Sequence, residues 1–291
     1  MGKVAVTTAS GQLGGAIIRA LVQSTGADNV IGVARTPEKA TGLGVEVRAG
    51  DYGDQAQLTQ AFADVEVVVV ISLAGDPSKR PPLHRAVFEA AKAAGVRKVV
   101  YTSVCGPTDG ASFDAIVKSN RETESDLASS GLAWVIGRNG IYIEPDVEYI
   151  DSYRKRGEVA NCAADGKCGY TTRDELAAAY AHMAMTDALN SRIMHLTGPA
   201  ITQAELVGYL NGAFGTNLVF RNMSVDEYLK DRQAELGEFM GAVIAGIYDG
   251  IRQGAFDPES EFEAAAGRPH ITWEAYFSQV RAVAAKASAA T

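Results

Sequence analysis

The stretch "AVTTASGQLGGAIIRALV" (residues 5–22) decides the fold. It runs from a short apolar strand through a turn holding Gly11 and Gly14 into a helical pattern with Ile17, Leu21 and Val22 on one side. Ala16 and Ile18 flank that side, a spacing that suits packing on a sheet. A strand that passes into a helix over glycines leaves free N–H groups and a partial positive charge at the helix start. Glycine is needed there wherever the chain turns sharply or a Cβ would strike a phosphate. The turn therefore reads as a pyrophosphate cradle, with Ser10, Gly11, Gln12, Leu13 and Gly14 as candidate contacts. Thr8, however, stands where a first glycine belongs. Its β-branched side chain is tolerable if φ stays negative, and its hydroxyl can donate to a phosphate or a ribose.

Outward from this turn, short β-branched runs at 3–8, 29–34, 45–49, 66–73, 98–104 and 132–137 alternate with helical patterns at 12–25, 55–63, 80–94 and 114–130. Such alternation with short connections predicts an α/β fold, a Rossmann-type doubly wound parallel sheet covered on both faces. From about residue 140 the regular alternation fades. Aromatic residues gather in "IYIEPDVEYIDSY" (141–153), Thr172 is placed to cap a helix led by Asp174 and Glu175, and "RIMHLTG" (192–198) reads as a strand. The expected organisation is an NAD(P)-binding Rossmann domain over 1–140. A smaller, mostly helical substrate-binding lobe over 141–291 returns a strand or two to the sheet.

Bulk properties narrow the function. The 291 residues are 47% apolar and 21% charged, enough to bury a sizeable core. The net charge is −8 and no run of Lys and Arg forms a patch, which argues against nucleic acid. Cys105, Cys162 and Cys168 do not make a full disulfide set, so a reducing, cytoplasmic setting is expected. Their spacing fits no common zinc pattern, and no metal site is expected. The strand-like "KVAVTT" starts at Lys3 and leaves no room for a signal segment, and "VVVVISLA" (67–74) is too short to span a bilayer. That run fits a strand buried on both faces.

The strand ends supply the remaining candidates, because ligands of such sheets sit outside the carboxyl ends of the strands. Arg35 closes the second strand, where an acid would select NAD and an arginine accommodates a 2′-phosphate. The alternative is a surface arginine paired with Glu38. Asp51 and Tyr52 follow the third strand and are expected to flank an adenine. Ser72 and Leu73 end the fourth strand, and Thr102 and Ser103 the fifth. For each of these, ordinary loop polarity is the competing account.

The segments "TTASGQLGG" (7–15), "ARTPEKA" (34–40), "GDYGDQAQLTQAF" (50–62), "AAKAAGVRKVVYTS" (90–103), "LAWVIGRNGIY" (132–142), "TTRDELAAA" (171–179) and "IYDGIRQGAF" (247–256) occur in one order. Together they resemble the NmrA-like branch of the atypical short-chain dehydrogenase/reductases. Within that branch the chain resembles the bacterial NADPH-dependent quinone oxidoreductases and triphenylmethane reductases. The resemblance spans nearly the whole chain and implies NADPH as cofactor. The family's turn reads T-G-A-T-G-x-[LI]-G, so Thr8 replaces its first glycine and Ser10 its threonine.

Short-chain dehydrogenases usually pair a Tyr acid with a Lys four residues on. In "DAIVKSNRETE" (114–124) Lys118 follows Asp114 by four and precedes Glu122 by four, and the Tyr is missing. The resemblance turns the 114/118/122 face toward the nicotinamide and makes Lys118 a catalytic or ribose-binding residue. The alternative is a helix pair with Glu122. Substrate contacts are expected from Tyr142, also a catalytic candidate, from Tyr149, and from His84 unless His84 is simply a helix-face histidine.

Without a strong acid, the acceptor must need little more than a hydride. The implied activity is therefore reduction of a quinone or another conjugated electrophile. Two alternatives remain: an NADP-binding redox sensor without turnover, and a lignan or aryl-propanoid type reductase using Lys118. The implied partner is a small aromatic or quinone-like molecule, with a homodimer as an open assembly.

Overall fold

The computed structural model describes residues 2–109 and 113–289. Seven strands form one sheet: β1 (Lys3–Val6), β2 (Val30–Ala34), β3 (Glu46–Ala49), β4 (Val65–Ile71), β5 (Lys98–Val104), β6 (Ala133–Asn139) and β7 (Ile193–Leu196). Their spatial order is β7-β6-β5-β4-β1-β2-β3, and every neighbouring pair is parallel. The strand order reverses between β1 and β4, which opens a crevice at their carboxyl ends.

Strand alternation divides the core. Val4, Val6, Val67 and Val69 point to one face, where they meet Ile17, Ile18 and Leu21 of α1 (Gln12–Thr25). Ala5, Val68 and Val70 point to the other face, against α2 (Gln55–Ala61) and α3 (Arg80–Ala93). The helix α4 (Asp114–Ala128) adds Leu127 to that second face. Because both faces are covered, β4 is apolar at six of its seven positions rather than alternating.

Two strand boundaries move for identifiable reasons. The reading of 66–73 as strand runs too far, because the Ser72 N–H leaves the ladder to donate to the Thr102 hydroxyl at 2.9 Å. The reading of 132–137 stops too soon, because β5 and β7 hold β6 on both sides as far as Asn139.

The chain beyond residue 140 contributes β7 and also α5 (Arg173–Met185), which packs beside α1 on the sheet. The Thr172 side chain accepts from the Glu175 N–H at 3.0 Å and caps α5 as its sequence predicts. Another core gathers Phe113, Tyr170, Leu206, Phe256 and Trp273 under α6 (Gln203–Phe214), α8 (Glu238–Arg252) and α9 (Trp273–Ala289). Between α6 and α8 lies α7 (Val225–Leu236), joined to α8 through Gly237. Among the described residues no helix is long and apolar enough to cross a membrane. Cys105, Cys162 and Cys168 are buried and free.

Candidate active site

The glycine turn is built on backbone contacts. Gly11 is the N-cap of α1 in extended conformation, and its N–H donates to the Thr8 carbonyl at 2.8 Å. A Cβ at Gly14 would collide with that same carbonyl oxygen, so only glycine lets the helix pass this close to the turn. No side chain caps α1, and no acid occupies its first turn. Its leading N–H groups are therefore left for an anion.

Thr8 departs from expectation. Its φ is +48°, the left-handed region, where the tolerance argued from sequence required a negative value. The turn needs the conformation that a glycine adopts freely, and Thr8 adopts it against its branched Cβ. Its hydroxyl makes no hydrogen bond among the described residues. Such a residue stores about 1–3 kcal/mol of strain. Thr8→Gly is therefore expected to stabilise the fold by about 1 kcal/mol once the extra freedom of glycine in the unfolded chain is subtracted. Thermal unfolding checks this, and an unchanged or lower midpoint would show that Thr8 is relaxed.

A cleft of about 450 Å³ opens over the turn, lined by Ser10, Gly11, Gln12, Arg19, Lys39 and Arg173 among others. Glu144 and Asp174 line it as well, beside Arg173, so the uncapped helix start with Arg19 and Lys39 is the part that suits a dinucleotide's phosphates. Arg35 stands exposed just after β2, and among the described residues it forms no ion pair with Glu38 or any other acid. Asp51 accepts from the Gly53 N–H at 2.9 Å and remains partly exposed. Tyr52 corrects the reading of an adenine flank. It is 5% exposed, and its hydroxyl meets Thr7 at 2.6 Å and donates to the Ile71 carbonyl at 2.9 Å. Internal partners hold the ring in the core beneath the strand ends.

A second cavity, of about 590 Å³, lies beyond Leu13. Ser72, Leu73, Thr102 and Ser103 line it at the ends of β4 and β5, and Asn139 at the end of β6. Thr102 and Ser103 are buried, Thr102 fastening the Ser72 N–H and Ser103 donating to Glu124 at 2.6 Å. Aromatic residues form the far end: Tyr142, Tyr149, Tyr153, Tyr228 and Tyr248. The Tyr142 ring lies 5.5 Å below the Arg173 guanidinium, and burial raises the pKa of its phenol. Tyr149 donates to Glu235. At the mouth, Leu236, Phe239 and Met240 are exposed where α7 meets α8, with Gly237 at φ +82° between the helices.

Two candidates are corrected here. His84 is fully buried and outside the cavity lining. Its Nε2 accepts from the Leu73 N–H at 3.0 Å, so its Nδ1 carries the proton toward Thr123 at 3.1 Å. Burial, aided by the Arg80 charge, pushes its pKa down to about 3. His84 is a neutral strut for the loop after β4.

Lys118 is exposed and pairs with Asp114 at 3.0 Å, while Glu122 meets Arg85 at 3.4 Å. The 114/118/122 face does not line the cavity; Ile116 and Asn120, on the other side of α4, do. Lys118→Met is therefore expected to leave turnover at the parent rate, whereas loss of a general acid costs about 10²–10⁴-fold. Steady-state rates with two acceptors check this.

Several lining residues escaped the sequence reading. Asn120 and Arg80 line the cavity near Ser72, and Tyr101 lies behind them. Asp146 lines the far end, where burial pushes its carboxyl up to about 6 despite the 2.7 Å hydrogen bond from Tyr153. The one signal for Asp146 was its place amid the aromatic run. For Asn120 it was the four-residue step from Ile116 on α4.

Comparison with known proteins adds independent findings. The family described as NAD(P)H-binding matches residues 8–187. Quinone oxidoreductase 2 of Escherichia coli (strain K12) is 32% identical over 275 residues, covering 92% of this chain and 95% of the relative. An NmrA-like family domain-containing oxidoreductase, flvB, of Aspergillus flavus is 32% identical, covering 77% of this chain and 75% of its own length. The crystal structure of Citrobacter sp. triphenylmethane reductase complexed with NADP(H) is similar with a TM-score of 0.87 and 28% identity. It covers 96% of this chain and all of that one.

Proposed function

This chain belongs to the NAD(P)H-binding, NmrA-like family, and on that premise we propose that it is an NADPH-dependent reductase that transfers a hydride to a quinone or another conjugated electrophile. One observation carries the proposal. A cleft over an uncapped helix start, where Arg19, Lys39 and Arg173 stand with Glu144 and Asp174, adjoins an apolar, tyrosine-lined cavity at the ends of β4, β5 and β6. The names of the E. coli quinone oxidoreductase and the Citrobacter dye reductase point the same way.

When bound, the reduced nicotinamide supplies a hydride. The residues fitted to hold the cofactor are Ser10, Gly11, Gln12 and Leu13 at its pyrophosphate and Arg35 with Lys39 at a 2′-phosphate. Asp51 would flank the adenine, and Ser72, Leu73, Thr102 and Ser103 would border the nicotinamide ribose. On this reading residues 1–140 hold the cofactor and 141–291 shape the acceptor end, with Tyr142 and Tyr149 against the acceptor.

The chemistry follows from what the cavity lacks. Among the described residues no Tyr–Lys pair lines it, and the Tyr142 phenol is a weaker acid than usual because burial disfavours its phenolate. An ordinary ketone needs a proton as the hydride arrives. A quinone does not, because its ring delocalises the new charge. The three buried thiols fit a reducing, cytoplasmic setting.

Loss of NADPH absorbance with a simple quinone tests the proposal, with an aliphatic ketone as the contrast. Turnover of the quinone and not of the ketone is expected; tight NADPH binding without turnover of any acceptor would favour a redox sensor instead. NADPH should also bind better than NADH, and Arg35→Ala should remove most of the preference, about ten- to hundredfold for a charge-assisted phosphate contact. Equal dissociation constants for the two cofactors in the parent protein would sink the assignment of Arg35.

A further inference from the structure

Arg80, the first residue of α3, is 5% exposed, and no carboxylate reaches it among the described residues. Its Nη2 donates to the Ser72 hydroxyl and to Asn120 Oδ1 at 3.3 Å, and its buried Nε has no partner. Tyr101 donates to the same Asn120 oxygen at 2.9 Å. Among the described residues the groups that hydrogen-bond this guanidinium, Ser72 and Asn120, are neutral, and nearby His84 is neutral as well. Arginine stays charged in proteins, and an unpaired buried charge is strongly unfavourable. A fold that keeps one beside a cavity is arranged for an anion.

The cofactor's phosphates do not account for it. The cleft suited to them has its own cations in Arg19, Lys39 and Arg173, and Arg80 lines the other cavity. There, at the end of β4, the remaining source of negative charge is the acceptor. We propose that Arg80, held by Ser72 and Asn120, is a catalytic residue that binds the acceptor's carbonyl oxygen and compensates the negative charge that hydride transfer places on it.

The inference rests on the reductase reading above. The C4–H bond of NADPH breaks, and the hydrogen bonds to the acceptor with both electrons. NADPH is oxidised to NADP⁺, and the quinone becomes a hydroquinone monoanion. A proton from water then completes the hydroquinone. A fixed positive group in a dry site favours this step because it is aimed in advance at charge that develops only as the reaction proceeds. It also supplies what the absent Tyr–Lys pair would otherwise provide.

The test uses the full chain saturated with NADP⁺ and 4-nitrophenol as a stable oxyanion probe, its ionisation read from its absorbance. The parent protein should bind the phenolate in preference to the phenol. Arg80→Met should weaken phenolate binding about ten- to hundredfold, as expected for losing a charge-assisted hydrogen bond. Quinone turnover should fall about 10²–10³-fold while NADPH affinity, read by fluorescence, holds within about threefold. Arg80→Lys keeps the charge without the planar fork and should fall between parent and Met variant. It decides the matter if the Met variant does not fold.

Phenolate affinity unchanged in either folded variant would overturn the inference. So would a loss of NADPH affinity equal to the loss of turnover, which would make Arg80 a cofactor anchor. Arg80-dependent phenolate binding in a protein that reduces no acceptor would sink the reductase reading alone and leave the anion site standing.

Discussion

Replacing Glu124 by alanine is expected to destabilise the fold by about 3–5 kcal/mol, the usual cost of removing one partner from a buried ion cluster. Glu124 is 4% exposed, and four donors converge on it. Its Oε1 accepts from Ser103 at 2.6 Å, Arg121 at 2.7 Å and Arg138 at 3.0 Å, and its Oε2 accepts from Arg138 at 2.6 Å. Burial by itself would raise the carboxyl pKa. The hydrogen bonds from Arg138 and Ser103 and the charges of both arginines outweigh it, so the net pKa is lowered.

The pH dependence follows from that sign. A carboxylate with a depressed folded pKa contributes its full stabilisation above the unfolded value of about 4.3. The contribution is lost as pH falls through the folded pKa. Urea unfolding of the parent and Glu124→Gln should therefore differ most at neutral pH and converge in acid. A gap that is constant with pH would mean that the charge of Glu124 contributes nothing and only its shape matters.

Gly14→Ala is expected to abolish measurable cofactor binding and to cost about 1–3 kcal/mol of stability through overpacking. The added methyl meets the Thr8 carbonyl, and Ala9 Cα lies 3.3 Å away. These are backbone atoms, already held in the left-handed turn at Thr8, and they have no rotamer into which to retreat. Gly208 and Gly212 in α6 make the control, since a Cβ at either meets nothing within 4 Å. There alanine should stabilise the helix by about 0.5–1 kcal/mol. A Gly14→Ala protein that binds NADPH like its parent would show that α1 can shift away from the turn.

The sheet is legible in the sequence because its strands are short β-branched runs between capped or glycine-ended helices. That signal depends only on local periodicity. Gly11, Ser72 and Thr102 are legible for a topological reason, as each lies at or just past the carboxyl end of a strand of a parallel sheet. What stays hidden is the face toward which a residue points. The spacing of Asp114, Lys118 and Glu122 declares a common face of α4 but not that it looks outward; the inward face belongs to Ile116 and Asn120.

Tyr52 and His84 read as polar contacts, yet they are buried. Thr7, Ile71, Leu73 and Thr123 satisfy them from distant parts of the chain, and a local pattern carries no record of such partners. The sign of φ at Thr8 is hidden in the same way, since the turn imposes it from outside the residue. Arg80, followed by two prolines, looks like an ordinary helix start. Only the absence of an acid around it among the described residues marks it out.

The late arrival of β7 in the chain bears on how the protein is made. A nascent chain of about 140 residues already holds six strands, but α5 has not yet covered the α1 face of the sheet and β6 is still an open edge. Both are supplied only when synthesis reaches Leu196. At about 5–20 residues per second, that interval lasts roughly 3–11 s, during which a valine-rich parallel sheet stands unfinished beside the ribosome. Unpaired edges of this kind recruit other strands. Messages truncated between codons 140 and 196 should therefore yield aggregating fragments that engage chaperones.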